Sequence, residues 1–289
     1  MKVSNFIPIL LTNALSARLI FGFMKRISWL VLLLAGFVTI RCGNTDDTSA
    51  DSSPSAPPLP SISYTTVGTA AHDTSFFTEG LEFYKGSLLE STGLEGKSKL
   101  VQYDLPSGKV QKEISLPATS FGEGITVFRD TLYQLTYRES KVNVYTVKDF
   151  KKIKELPFTG EGWGLTHDST SLIATNGSNN LYYYEPGTFR LLKKVAVTEN
   201  DVPAVNLNEL EYVNGFLYAN QWQMNYILKI DPSSGNVVAK MDLSSLVQQE
   251  RVTNPNAEVL NGIAYNPETK KFYVTGKNWS KIYELQFAF

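Results

Sequence analysis

The sequence predicts an all-β fold, a five-bladed β-propeller of four-stranded antiparallel blades. Three observations carry the prediction. The chain restates one pattern five times: "GLEFYKGSLLESTG" from Gly80, "GITVFRDTLYQLTY" from Gly124, "GLTHDSTSLIATNG" from Gly164, "ELEYVNGFLYANQW" from Glu209 and "GIAYNPETKKFYVTGK" from Gly262. Subtracting successive starts gives spacings of 44, 40, 45 and 53 residues, and strands repeated at that period are the mark of propeller blades. Aromatic residues are plentiful, with 15 Tyr, 16 Phe and 4 Trp, which suits strands better than helices. Finally, the fifth repeat ends in "SKIYELQFAF" with no outer strand, while the strand-like "SISYTTVGTAA" ahead of the first repeat has no hairpin partner. Pairing these two closes the ring and removes two exposed sheet edges.

The elements follow in chain order. Lys25 and Arg26 precede an apolar run of ten residues from Trp29 to Val38. A bilayer span takes about 20, so the run reads as the core of a signal segment, with Met24 as an alternative start. The lone Cys42 ends that segment and is followed by "GNTDDTSADSSPSAPPLPS", which has no means of forming a core. The expected organisation is a signal segment over 1–42 ending in a lipidated Cys42, a tether over 43–62, and the propeller over 63–289. This places the protein at a bacterial cell envelope, lipid-anchored, with secretion as the alternative. In each of the first four repeats a second hairpin completes the blade, as in "VQYDLPSGKVQKEISLP" and "ILKIDPSSGNVVAKMDL", where apolar and polar residues alternate around a tight turn. The long fourth interval carries "SSLVQQERVTNPNAEV", read as a short helix and a loop.

Innermost strands line a propeller's channel, so the residues just ahead of them converge at one opening. Those residues are Glu79, Glu123, Trp163, Asn208 and Asn261. Loops after the second strands reach the same face and add Thr92, Tyr137, Trp222 and Lys277, while Phe77 and Phe121 precede the first two mouths. An aromatic pocket with a few convergent polar groups is a small-molecule site. Blander readings accompany this one. Asn208 and Asn261 would cap strand ends, Trp163 and Trp222 would pack between blades, and Glu123 would be a hydrated channel carboxylate. Glu161 reads as a turn residue, and His72 and His167 as ordinary surface or strand histidines.

Composition excludes several classes. A net charge of -1 argues against nucleic acid and anionic membrane as electrostatic partners. One cysteine forbids an intrachain disulfide, and two isolated histidines disfavour a zinc site. No cofactor or metal is expected, the membrane is reached only through the lipid anchor, and the protein is expected to be a monomer.

"FFTEGLEF", "LLESTG", "FGEGI", "LTYRE", "GEGWGL", "LNELEYV", "NQW" and "LNGIAYNPETKKFYVTGK" occur in this order over residues 64–287. Together they resemble the plant and bacterial type of glutaminyl-peptide cyclotransferase, a five-bladed propeller unrelated to the zinc-dependent animal enzymes. The resemblance implies cyclisation of N-terminal glutamine in peptides or proteins to pyroglutamate, with release of ammonia. It makes Glu123 the catalytic carboxylate and Asn208 a substrate-binding amide. Phe77, Phe121, Trp163 and Trp222 become aromatic walls, and Lys277 a basic residue able to polarise the amide oxygen. Two positions depart from the family pattern: Glu79 stands where it often has Gln, and Tyr137 where it usually has Trp. Two other readings compete: a calcium-dependent propeller lactonase or esterase, using Glu79, Glu123, Asn208 and Asn261 as oxygen ligands, and a non-catalytic binding propeller.

Overall fold

The computed structural model describes residues 58–288. Cys42 and the signal segment lie outside these residues. The strands in chain order are β1 (Thr65–Ala71), β2 (Thr78–Tyr84), β3 (Ser87–Thr92), β4 (Lys99–Asp104) and β5 (Lys109–Ser115). Then come β6 (Gly122–Phe128), β7 (Thr131–Thr136), β8 (Lys141–Thr146), β9 (Lys152–Pro157), β10 (Leu165–His167), β11 (Leu172–Ala174), β12 (Asn180–Tyr184) and β13 (Leu191–Ala196). A small hairpin, β14 (Thr198–Glu199) and β15 (Val202–Pro203), precedes β16 (Leu207–Val213), β17 (Phe216–Gln221), β18 (Tyr226–Ile230) and β19 (Val237–Asp242). Helix α1 (Ser244–Thr253) leads to β20 (Leu260–Asn266), β21 (Lys271–Gly276) and β22 (Lys281–Gln286).

Five four-stranded antiparallel sheets form: β2-β3-β4-β5, β6-β7-β8-β9, β10-β11-β12-β13, β16-β17-β18-β19, and β20-β21-β22-β1. The fifth is completed by β1, which pairs antiparallel with β22, with Ala71 opposite Lys281. The ring therefore closes as the repeats predict. Each interface between neighbouring blades has its own apolar cluster. Leu89, Leu100, Ile125 and Leu132 fill the first. Phe76, Leu81, Ala264 and Ile282 fill the one that joins the last blade to the first. Because each blade can bury its faces only against two neighbours, ring closure is a condition of burying all five interfaces.

The chain enters the ring earlier than the expected tether boundary. Ser61 forms a parallel bridge with Lys240 of β19, Ile62 N–H donates to the Lys240 carbonyl at 2.7 Å, and Ile62 packs on the core between the last two blades. The apolar residues Leu59 and Ile62 lie in a stretch whose proline and serine content masked them. The short hairpin β14-β15 was not expected, because its two-residue strands carry no periodicity. α1 takes the place predicted for a helix and is anchored by Glu250, whose carboxylate accepts hydrogen bonds from Ser280 N–H and Tyr283 Oη.

The inner strands pack closely. A Cβ on Gly164 would lie 2.1 Å from the Asn208 carbonyl oxygen, so only glycine fits there. The fourth blade has Glu209 in the equivalent place. Its buried carboxylate accepts N–H bonds from Leu81 of β2 (3.3 Å) and Ile263 of β20 (2.7 Å). One side chain thus ties three blades together inside the channel.

Candidate active site

The mouth residues are aimed by backbone irregularities. In the pairs β2-β3, β6-β7, β16-β17 and β20-β21, the register shifts at the mouth: between Thr78 and Gly80, Gly122 and Ile125, Leu207 and Leu210, and Leu260 and Ile263. These intervals hold Glu79, Glu123, Asn208 and Asn261. A bulge leaves the extra residue unpaired and turns its side chain out of the ladder. That is why a carboxylate can stand where a strand enters a core.

A second tier is set just outside. The residue two places before a mouth pairs with the residue after β3, β7, β17 or β21: Gly93 N–H donates to Phe77 O, Tyr137 to Phe121 O, Trp222 to Asn206 O, and Lys277 to Val259 O. Gly93, Tyr137, Trp222 and Lys277 are therefore structurally equivalent; Gly177 holds the matching place in the third repeat, where its N–H donates instead to Leu207 O. The two glycines make room for the aromatic walls. A Cβ on Gly93 would lie 2.4 Å from the Phe121 ring, and one on Gly177, which has φ +78°, 2.7 Å from the Trp163 ring.

The result is a cavity of about 260 Å³ lined by Phe77, Glu79, Phe121, Glu123, Tyr137, Trp163, Asn208, Trp222, Glu258 and Lys277. All eight side chains expected to bind substrate, and Glu123, meet here. The aromatic rings pack edge to face, with centroids 6.3 Å apart for Phe77 and Phe121 and 5.9 Å for Trp163 and Trp222. Tyr137 and Phe121 tilt together at 5.5 Å, and the Lys277 ammonium sits over the Phe77 ring at 4.4 Å.

Three expectations are corrected. Thr92 does not line the cavity: it is buried, and its hydroxyl accepts the Lys99 N–H at the end of the blade. Asn261 stands at its mouth but faces sideways, donating to Thr78 O at 2.9 Å and to Glu79 at 3.2 Å. His72 is no surface histidine. It is buried between Glu90 at 3.1 Å and the Trp279 carbonyl at 2.8 Å. Glu258, an exposed rim residue, was missed. The two-place rule that put Phe77 and Phe121 ahead of their mouths leads to Val259 in the fifth repeat, so Glu258, three places before Asn261, carried no signal in the sequence.

The electrostatics separate the two carboxyls. Glu79 forms a buried ion pair with Lys277, Oε1 to Nζ 2.6 Å. Burial nevertheless raises its pKa to about 7, against the downward pull of Lys277. Glu123 is 4% exposed, and among the described residues no side chain is hydrogen-bonded to its carboxyl. Burial lifts its pKa well above the usual carboxylate range, and the adjacent Glu79 lifts it further. Two buried polar atoms of the lining have no partner: Trp163 Nε1, a donor, and Asn208 Oδ1, an acceptor. A buried polar atom left unpaired is costly, so both are suited to a ligand with complementary groups. Among the described residues, no group of three or more His, Cys, Asp or Glu side chains is arranged to hold a metal ion.

A family model described as glutamine cyclotransferase matches residues 38–287. The chain belongs to the glutamine cyclotransferase family. A glutaminyl-peptide cyclotransferase of Arabidopsis thaliana is 36% identical over 226 residues, covering 76% of this chain and 70% of that one. The crystal structure of Myxococcus xanthus glutaminyl cyclase superposes with a TM-score of 0.74 at 34% identity, over 80% of this chain and 98% of that one. The glutamine cyclotransferase propeller is thus shared across the whole ring.

Proposed function

We propose that the protein is a metal-independent glutaminyl-peptide cyclotransferase, converting N-terminal glutamine of peptides or proteins to pyroglutamate by an acyl transfer within the substrate. The observation that carries this is the buried, unpaired Glu123 carboxyl facing an aromatic cavity large enough for one glutamine residue, in a chain of this family. A primary amide presents one strong acceptor and two donors. Trp163 Nε1 suits the amide oxygen, and Asn208 Oδ1 suits an N–H of the substrate.

The chemistry follows from those placements. The substrate's α-amine attacks its own side-chain amide carbon, so the nucleophile is already intramolecular. Walls that hold the folded-back conformer supply several kcal/mol by orientation alone. As the C–N bond forms, Glu123 takes a proton from the amine. It then passes that proton to the departing nitrogen, which leaves as ammonia. An α-amine titrates near 7.7–8.0, so a carboxyl lifted out of the usual range exchanges a proton with it at little cost. Lys277 has two N–H donors left beyond its bond to Glu79, and one of them can stabilise the developing oxyanion. The Trp163 N–H acts at the same oxygen.

A calcium-dependent lactonase needs several oxygen ligands around one ion, and Trp163 at the third mouth offers none. Mass spectrometry of a glutamine-initiated peptide incubated with the protein, with and without a chelator, tests the choice. Loss of one ammonia, unchanged by chelator, supports the cyclase. Chelator-abolished turnover, or none, overturns it. We further propose a cell-envelope location with lipid attachment at Cys42, which predicts that Cys42→Ser leaves the membrane fraction.

A further inference from the structure

The cavity of about 260 Å³ has room for the glutamine residue. The rest of a peptide must leave over the rim, and the rim is acidic. Glu258 lies exposed there. A second cavity, bounded by Glu95, Thr119, Phe121, Tyr137, Arg138 and Glu139, shares Phe121 and Tyr137 with the pocket. Glu161 stands beside it, paired with Arg138 at 2.9 Å. The balance is four carboxylates, Glu95, Glu139, Glu161 and Glu258, against one guanidinium, a net of -3. Lys277 does not offset this, because Glu79 already neutralises it inside the pocket.

These charges act on the pocket itself. Glu139 and Glu161 both push the Glu123 carboxyl upward, and Glu258 does the same to Glu79. Asn208, 3% exposed and lining the pocket with its Oδ1 unpartnered, independently marks where the first residue is held. The second and third residues are thereby brought alongside the rim. We propose that the acidic rim makes the protein selective for glutamine-initiated peptides with basic residues at the second or third position, and disfavours acidic ones. This inference rests on the cyclase reading.

A unit charge in water about 8–10 Å from a rim carboxylate gains about two-fold in binding, so a net of three gives about ten-fold at low ionic strength and two- to three-fold near 0.15 M salt. The test is kcat/KM of the intact protein on three otherwise identical peptides beginning Gln-Arg, Gln-Ala and Gln-Glu, at low and high salt. The expected order is Arg above Ala above Glu, with the differences in KM and collapsing in 0.5 M salt. Within each variant the Arg-to-Glu ratio should narrow for Glu258→Gln and widen for Arg138→Gln. Equal rates on all three peptides at low salt, with Gln-Ala turned over, overturn the selectivity and leave the cyclase reading standing. No turnover of any peptide overturns the cyclase reading and this inference with it.

Discussion

Replacing Lys277 by Met removes the charge that holds Glu79 while keeping most of the side chain over Phe77. The size of the effect follows from linkage. Glu79 titrates near 7 in the folded protein and near 4.3 unfolded. Its folded pKa is raised, so in the wild type stability is lost as pH climbs from about 4.3 to 7 and is level above that. Without Lys277 the pKa rises further, because the one strong pull in the opposite direction is gone. The variant then goes on losing stability above pH 7, by about 1.4 kcal/mol per pH unit, until the new pKa is reached. Relative to wild type, Lys277→Met should show a constant difference below pH 6 and an extra loss of about 2 kcal/mol at pH 8.5, which is about 4–8 °C in Tm for a domain of this size. The assay is denaturant unfolding of both proteins at pH 5, 6, 7.5 and 8.5. The double variant Glu79→Gln, Lys277→Met removes the Glu79 titration and should cancel most of the extra loss, leaving only the part carried by Glu123, which Lys277 also pulls downward. A Lys277→Met difference that is the same at all four pH values would refute the buried pairing.

Two further outcomes test the surroundings of the site. Burial holds Glu82 up to about 8, so Glu82→Gln should stabilise the protein by on the order of 4–5 kcal/mol at pH 8 and by nothing near pH 4. Chemical denaturation at the two pH values checks the sign. Gly177→Ala should raise KM about ten-fold by displacing the Trp163 wall, besides costing about 1–2 kcal/mol of backbone strain. Gly187→Ala, at φ +92° with nothing within 4 Å of its Cβ, should show the strain without the kinetic change.

What could be read from the sequence was whatever backbone period determines. The repeat starts fall on or just before the inner strands, and the residue before each falls in a bulge in every blade but the third, so Glu79, Glu123, Trp163 and Asn208 were identifiable as converging side chains. Tyr137, Trp222 and Lys277 followed from the same register, since each closes a loop against the residue two places before a mouth. Periodicity does not report which way a side chain turns once it arrives. Asn261 obeys the same rule as Asn208 yet bonds to Thr78 O and Glu79, and Thr92 turns back to its own blade. Glu209 was visible as the one carboxylate where other repeats open with glycine. Its role needed the third dimension, because its partners, Leu81 and Ile263, are 128 and 54 residues away. His72 was misread for a related reason: it sits where the ring closes, between Glu90 of the first blade and the carbonyl of Trp279, 207 residues away in the fifth.

The most direct test of the account is the turnover of Glu123→Gln on a short glutamine-initiated peptide, measured as ammonia release alongside peptide binding and thermal unfolding. Glutamine keeps the shape and cannot carry the proton, and removing a positioned acid–base group costs about 10²–10⁴-fold. The account predicts a loss of that size in kcat, with peptide binding retained and a melting temperature equal to or above wild type, since a buried carboxyl has been removed. A folded Glu123→Gln protein that cyclises the peptide within a few-fold of the wild-type rate would contradict the account.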